Sequence, residues 1–424
     1  MRDYYSESRR ESMLRSVRFM LSAAVRNAVA AVAVALVVGV PAAARDDVRA
    51  LWVVRTTLTS PQAIATMVDA AKASGFNTLL MQIRGRGDAY YQHGLEPRPA
   101  ALSSQPAFDP LATAIIRAHE AGLRVHAWMN VNLVAGVNEM PPAREHVVYR
   151  HPEWLMVPRA LAEHLVTIEP RSPEYVGRLT RHARAQSGDI EGLYLSPTVP
   201  AAVDYTVSVV RDVVDRYDVD GVHFDYLRYP TEDFDYSRES LAAFRRHVLP
   251  DLPVADRRRY DARIADGEAL IYTRAFPARW RAFRTDRLTS LLSKLHSAVK
   301  TRRPAAIVSA AVAPDPSDAA GRRLQDWRSW LARDLVDVLC PMAYTTDASL
   351  FAAQIGAAQS VAAGHPIWAG IGAYRLSSSQ IADNVQLARR LGVAGVILFS
   401  YESLVDPARG ADSLAQVGRA AFMQ

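Results

Sequence analysis

Cysteine and lysine are both scarce in this 424-residue chain. The single cysteine, Cys340, can form no internal disulfide, which excludes a fold stapled by disulfide bonds. Lysine occurs only at Lys72, Lys294 and Lys300, so arginine carries nearly all of the positive charge behind the formal net charge of +6. The arginines are scattered through helical stretches and are not clustered with aromatic residues, which disfavours a nucleic-acid partner.

The sequence also has no internal repeat and no low-complexity linker. Half of its residues are apolar, at 50%. A chain of this length and composition can bury a large core, either as one large domain or as two smaller ones. Disordered and fibrous classes are therefore excluded.

One long apolar run stands near the amino terminus, from Ala28 to Val40. Several arginines precede it, and small residues that end at Ala44 follow it. This order predicts a signal peptide over residues 1–44 and a folded domain over residues 45–424. An uncleaved membrane anchor is the alternative, although the run is short for a spanning helix. Both interpretations predict an exported protein, either periplasmic or secreted.

From Val48 onward, the chain alternates short apolar runs with segments of helical spacing. This alternation predicts a parallel sheet covered by helices. The eight predicted strands are Ala50 to Thr56, Thr78 to Arg84, Arg124 to Asn130, Gly221 to Tyr226, Ala306 to Val312, Val336 to Ala343, Pro366 to Ile371 and Gly395 to Ser400. Eight strand–helix units predict a (β/α)8 TIM barrel.

Two connections, Val131 to Leu195 and Tyr229 to Arg302, are too long for a simple link between a strand and a helix. They follow the third and fourth predicted strands. Because the loops after the strands build the active face of a TIM barrel, these insertions are expected to shape a substrate groove.

Polar and aromatic residues stand at the ends of most predicted strands, where this fold places its chemistry. The candidates for substrate binding are Arg84, Asp88, Trp128, Asn130, His223, Tyr226, Arg228, Tyr344 and Tyr401. Aromatic rings beside carboxylates are typical of a site that binds sugars. A polar glycan is therefore the expected ligand.

Three carboxyl groups are the candidates for catalysis. Asp225 follows Phe224 at the end of the fourth strand, where burial of its charge requires a partner such as Arg84 or Arg228. Asp315, held between two prolines, and Glu402, after the last strand, are the two candidates for the general acid. Asp315 is placed first, with the alternative that it only caps a helix.

The order of short motifs resembles the family-10-like glycosyl hydrolases, a group of exported bacterial proteins. The motifs are RALWVVRT, QIRGRGDAYY, HAWMN, HPEW, VDGVHFDYLRYP, QDWRSW, PMAY and GVILFSYESL. The resemblance implies a catalytic TIM barrel that acts on a glycan, with a peptidoglycan-related substrate expected. Many relatives read Phe-Asp-Asp-Tyr where this chain has Phe224-Asp225-Tyr226, so the second acid is missing here.

A fainter likeness to chitinase-type barrels places Leu227 where those enzymes carry their acid. A leucine cannot donate a proton. Two alternatives to a glycoside hydrolase therefore stay open. One is a barrel that binds glycan without catalysis, and the other is a metal-dependent hydrolase that uses His126, His223 and Asp225. The glycosidase interpretation requires no metal and no cofactor.

Overall fold

Eight parallel strands form the central sheet of the computed structural model, which describes residues 47–423. In chain order, the strands of the structure are β1 (Val48–Val53), β2 (Thr78–Arg84), β3 (Arg124–Asn130), β4 (Leu133–Gly136), β5 (Gly192–Tyr194), β6 (Gly221–Asp225), β7 (Ile307–Val312), β8 (Val338–Pro341), β9 (Trp368–Ile371) and β10 (Gly395–Phe399). The sheet has the order β8-β7-β6-β3-β2-β1-β10-β9. Parallel bridges from Leu339 to Ile367 and from Met342 to Gly370 join its two edges. The predicted TIM barrel is confirmed.

Helices alternate with these strands. They are α1 (Pro61–Ala73), α2 (Pro110–Glu120), α3 (Val147–Arg150), α4 (Arg159–Leu165), α5 (Pro173–Ala185), α6 (Pro200–Arg216), α7 (Arg238–Val248), α8 (Val254–Ala265), α9 (Ile271–Ala275), α10 (Pro277–Arg302), α11 (Pro316–Arg322), α12 (Trp327–Ala332), α13 (Ala348–Val361), α14 (Ser378–Arg390), α15 (Tyr401–Leu404) and α16 (Ser413–Ala421). Ser60 and Asp109 cap α1 and α2, and each is followed by a proline in the first turn. This combination favours helix initiation.

The strands differ from the predicted runs mainly at their ends. β2 and β3 have the predicted bounds, whereas β1 ends at Val53 because Arg55–Thr57 forms a short 3-10 turn. β8 is shorter than its apolar run at both ends. The apolar run marks where a strand is buried, but the hydrogen-bonded ladder can stop inside it.

Two cores lie on opposite faces of the barrel wall. Alternate residues such as Trp52, Cys340 and Ile397 pack inside the barrel. Their neighbours in sequence, including Val396 and Leu398, pack between the strands and the helices. This alternation determines which side chains at the strand ends face the barrel mouth.

Hydrogen bonds connect the two predicted insertions. In the first, β4 pairs with β5 in antiparallel fashion. Asp235 of the second insertion is fully buried and accepts hydrogen bonds from the backbone N–H of Val157 in the first insertion (2.8 Å) and from the Ser240 hydroxyl (2.5 Å). The backbone N–H of Tyr236 also donates to the Val157 carbonyl (2.8 Å). The two insertions therefore form one wall above the barrel.

Over residues 47–423, none of the helices combines the length and apolar character needed to cross a membrane. The predicted signal segment, residues 1–44, lies outside the described residues. Its cleavage near Ala44 stays a prediction.

Candidate active site

A cavity of about 510 Å³ opens at the carboxyl ends of the barrel strands. Its lining combines aromatic, acidic and basic side chains: Trp52, Arg55, Gln82, Arg86, Trp128, Glu191, Asp225, Tyr226, Arg228, Asp318, Arg323, Met342, Tyr344, Tyr374 and Phe399. Five of the predicted site residues, Trp128, Asp225, Tyr226, Arg228 and Tyr344, therefore lie together in this cavity. This is the end of a TIM barrel that carries active sites.

Asp225 lies at the end of β6, with only 7% of its surface exposed. One carboxylate oxygen accepts a 2.6 Å hydrogen bond from the backbone N–H of Tyr226. Burial raises the pKa of the Asp225 carboxyl above its ordinary value, and the charge of Arg228 offsets this rise only in part. A carboxyl group in this state can donate a proton at a higher pH than an exposed aspartate.

Tyr226 and Arg228 connect Asp225 to a second carboxylate. Tyr226 has a positive φ of 52°, an uncommon conformation for a residue with a side chain. The guanidinium carbon of Arg228 lies 4.4 Å from the centroid of the Tyr226 ring. Arg228 also forms an ion pair with Glu191 (Nη2 to Oε2, 3.1 Å), and the Tyr194 hydroxyl donates to the same oxygen (2.8 Å). Glu191 keeps 43% of its side chain exposed in the cavity mouth.

Aromatic rings form the opposite wall of the cavity. Tyr344 and Phe399 stack, with centroids 5.6 Å apart, and Trp52 meets Tyr344 edge-on at 6.2 Å. Tyr374 lies 6.2 Å from Tyr344 and is 45% exposed. An exposed ring beside carboxylates can stack against the apolar face of a sugar.

Arg84 does not line the cavity, contrary to prediction. The register between β2 and β3 shifts between Gln82 and Arg84, so Arg84 pairs with Met129, a residue of the outer core. There its guanidinium forms an almost fully buried ion pair with Glu96 at 2.6 Å. The shift places Gln82 in the mouth and turns Arg84 outward.

Glu402 and Tyr401 are also misplaced by the prediction. On the last strand, Ile397 and Phe399 face the barrel interior, whereas Val396 and Leu398 face the helices. Glu402 lies on α15 and accepts hydrogen bonds from the backbone N–H of Val54 (2.8 Å) and the Thr57 hydroxyl (2.6 Å). Burial raises the pKa of Glu402. It is an anchor for the turn after β1, not a residue of the cavity lining.

Asp315 is the N-cap of α11, as the alternative interpretation expected. Its exposed carboxylate accepts a 2.7 Å hydrogen bond from the backbone N–H of Asp318. Asp318, one turn further on, reaches the cavity lining, and Asp315 does not. The structure therefore places Asp315 at a helix cap and outside the cavity lining, and its predicted role as the general acid stays a prediction.

Three further candidates lie behind or beside the cavity. His223 is fully buried and bonded to the Trp52 indole (3.2 Å) and the Ser309 hydroxyl (2.9 Å), and burial lowers its pKa to about 3. Asn130 is fully buried and accepts from the Trp128 indole (3.1 Å). Asp88 lines a neighbouring cavity. His223 and Asn130 support Trp52 and Trp128 but do not reach the cavity themselves.

The alternative prediction, a metal site that uses His126, His223 and Asp225, has no matching set of ligands in the described part of the chain. Both nitrogens of His223 have hydrogen-bond partners, and burial lowers the pKa of His126 to about 4. Over residues 47–423, no three histidine, cysteine, aspartate or glutamate side chains are arranged to hold a metal ion.

Glu191 is the main site residue that the sequence reasoning missed. It precedes β5 inside the long insertion, far from any predicted barrel strand. The insertion folds back so that β5 pairs with β4, directly after β3. This pairing places Glu191 at the mouth of the barrel. No local sequence motif predicts it.

These features define a TIM-barrel protein with an aromatic and carboxylate site at its mouth. The glycosyl hydrolase-like 10 family model matches residues 47–382, and the chain belongs to that family. Among curated relatives, it is 26% identical over 306 residues to glycosyl hydrolase DigH of Escherichia coli K12, covering 67% of this chain and 58% of DigH. It is 27% identical over 172 residues to glycosyl hydrolase YngK of Bacillus subtilis, covering 39% of this chain and 27% of YngK. The chain thus spans less than two thirds of the length of these relatives.

Solved structures show the same fold. The glycoside hydrolase domain of PgaB (BpsB) from Bordetella bronchiseptica aligns with a TM-score of 0.61 and 14% identity, over 89% of this chain and 99% of that domain. The catalytic domain of a β-amylase from Paenibacillus polymyxa aligns with a TM-score of 0.57 and 10% identity, over 89% and 98% of the two chains. At these identities the likeness establishes the fold alone.

Proposed function

We propose that this protein hydrolyses glycosidic bonds, with Asp225 as the proton donor and Glu191 as its carboxylate partner. The observation that carries the proposal is a buried carboxyl with a raised pKa beside the aromatic wall of the mouth cavity. Cleavage of a glycosidic bond requires a protonated acid at the leaving oxygen and a second carboxylate that acts on water or on the sugar.

The two carboxyls have different environments, which supports different roles. Burial raises the pKa of Asp225, so it retains its proton more readily. Glu191 forms an ion pair with Arg228 and keeps 43% of its side chain exposed in the cavity mouth, where water or a sugar can reach it. Glycosidases commonly place their acid and their second carboxylate in contrasting environments, which gives the two groups different pKa values.

The test compares wild-type protein with Asp225→Asn and Glu191→Gln on a panel of polysaccharides, including peptidoglycan, by measuring new reducing ends. Each variant is expected to lose at least about a hundredfold in turnover. Asp225→Asn should keep much of its activity on an aryl glycoside whose leaving group needs no proton. Wild-type rates in both variants would contradict the assignment. Glycan binding without any release of fragments by the wild-type protein would favour a non-catalytic binding barrel.

We also propose that the protein is exported and acts on a cell-wall glycan related to peptidoglycan. The support is the arginine-rich start, the apolar run from Ala28 to Val40, and the motifs shared with the exported family. Residues 1–44 fused to alkaline phosphatase, which is active only outside the cytoplasm, should give active enzyme in a bacterial host. An inactive fusion would contradict export.

A further inference from the structure

A second cavity, of about 410 Å³, adjoins the first. The loop after β2 and the insertion after β3 form its walls, with prolines at 97, 99, 141 and 142. Arg55, Arg86 and Glu191 line both cavities. The two cavities therefore meet at these side chains and form one groove.

The backbone of Arg86 is fixed at this junction. Its N–H donates to the Asp88 carboxylate (2.8 Å), and its carbonyl contacts Nε2 of His146 at hydrogen-bonding distance (2.7 Å). Gly87 follows with a φ of 67°, and a Cβ there would lie 2.7 Å from Nε2 of His146. Both features favour glycine at this position, and the two hydrogen bonds hold the backbone of Arg86 at the junction.

The guanidinium of Arg86 has few hydrogen-bond partners within the described residues. Its side-chain hydrogen bond is to the carbonyl of Gly85 (2.9 Å), and no carboxylate within residues 47–423 forms an ion pair with it. Arg228, by contrast, pairs with Glu191, and Arg98 donates to three backbone carbonyls. Nε of Arg86 lies 3.7 Å from where a Cβ on Gly136 would stand, at the wall of the second cavity.

We propose that the second cavity is a binding subsite for a carboxylate-bearing sugar, and that Arg86 is the residue that recognises the carboxylate. The inference rests on the proposed function, since it assigns a further subsite to the same groove. A guanidinium binds a carboxylate through two parallel N–H donors. Three carboxylates, Asp88, Glu139 and Glu191, line this cavity together with three arginines, Arg55, Arg86 and Arg98, so a monoanion fits better than a group of higher negative charge.

Binding is measured by titration calorimetry in the Asp225→Asn background, so that the result does not depend on hydrolysis. The probes are a hyaluronan hexasaccharide, which carries glucuronate carboxylates, and the same hexasaccharide after its carboxyls are reduced to alcohols. The carboxylated probe is expected to bind about tenfold to a hundredfold more tightly than the reduced probe. Added salt should weaken this preference.

Arg86→Gln in the same background should abolish the preference and its salt dependence. Arg144→Gln is the matched control. Arg144 is an exposed arginine of the insertion after β3, its guanidinium carbon lies 5.3 Å from the centroid of the Tyr149 ring, and it lines neither cavity. Its loss should leave the preference intact. Equal binding of the two probes, no binding of the carboxylated probe, or a preference that survives Arg86→Gln would overturn the proposal. Because Asp225→Asn removes the proposed acid, none of these results bears on whether the wild-type protein is a hydrolase.

Discussion

Arg84 and Glu96 form an ion pair in which both side chains are almost completely buried, with 2.6 Å between Nη2 and Oε1. The same guanidinium donates to the backbone carbonyls of Asn130 and Val131, and the Tyr205 hydroxyl donates to Glu96 (3.1 Å). The pair therefore joins the loop after β2 to the end of β3. Both segments border the groove.

Breaking this pair should destabilise the fold strongly. Arg84→Met leaves the Glu96 charge buried without its partner, and we expect the free energy of unfolding to fall by about 3–5 kcal/mol. Arg84→Met combined with Glu96→Gln removes both charges and should recover part of this loss. Urea denaturation measures both variants. Equal stability of the single and double variants would show that the charge of Glu96 is not held by Arg84.

Asp225→Asn should stabilise the protein while it inactivates it. A pKa raised in the folded state means that the unfolded chain ionises first as pH increases. Stability is therefore lost between the unfolded and folded pKa values, and the penalty is complete above both. Asparagine carries no such penalty, so we expect extra stability at pH 7 and none at pH 3. Thermal melts at the two pH values test this expectation, and an Asp225→Asn variant that is less stable at pH 7 would contradict it.

The pH profile of hydrolysis follows from the same shift. The proposed acid must be protonated, so turnover should fall as pH rises through the raised pKa of Asp225. In Asp225→Asn, the residual activity on an activated aryl glycoside should lack this alkaline decline. A decline of the same shape in both proteins would assign it to another group.

Asp315→Ala should affect stability and leave turnover unchanged. It removes the N-cap of α11, and such losses are typically about 1 kcal/mol. Ser60→Ala removes the cap of α1 and is the matched control, since Ser60 also accepts from a backbone N–H in the first turn (3.1 Å). A large fall in kcat for Asp315→Ala alone would restore its predicted role as the general acid.

Glu402→Gln should leave the kinetics of the protein nearly unchanged, whereas Glu402→Ala should not. Glutamine keeps the oxygen that accepts from Val54 and Thr57, and its neutral amide suits a site where burial raises the pKa of the carboxyl. Alanine releases the Arg55–Thr57 turn, and Arg55 lines both cavities, so KM should rise several-fold. Steady-state kinetics distinguish the two variants. Equal, severe losses of kcat in both would indicate a catalytic carboxyl.

The fold was predictable because each buried strand is a short apolar run separated from the next by a segment of helical spacing. The face of the strand on which each residue lies was not predictable. β10 is apolar on both faces, since one packs inside the barrel and the other against helices, so its sequence lacks the alternation that sets the phase. The sequence of this strand therefore could not show that Glu402 lies outside the cavity lining. The register shift after Gln82 misled the prediction for Arg84 in a similar way.

The candidate site was predictable where strand ends determine it, as for Asp225, Trp128 and Tyr344. Glu191 was not, because its position depends on pairing between β4 and β5 within the insertion after β3. The neighbouring insertion contributes as well, through its contacts to Val157. Long-range pairing of this kind leaves no local pattern in a single sequence.

The buried carboxylate of Asp235 has a consequence for engineering. Because it binds the backbone of Val157 across the two insertions, either insertion transplanted alone onto a related barrel would leave polar groups buried without partners. Chimeras that exchange residues 131–195 and 229–302 together should fold, whereas single exchanges should yield aggregated protein. We therefore expect that the two insertions can be moved between barrels of this family only as a pair.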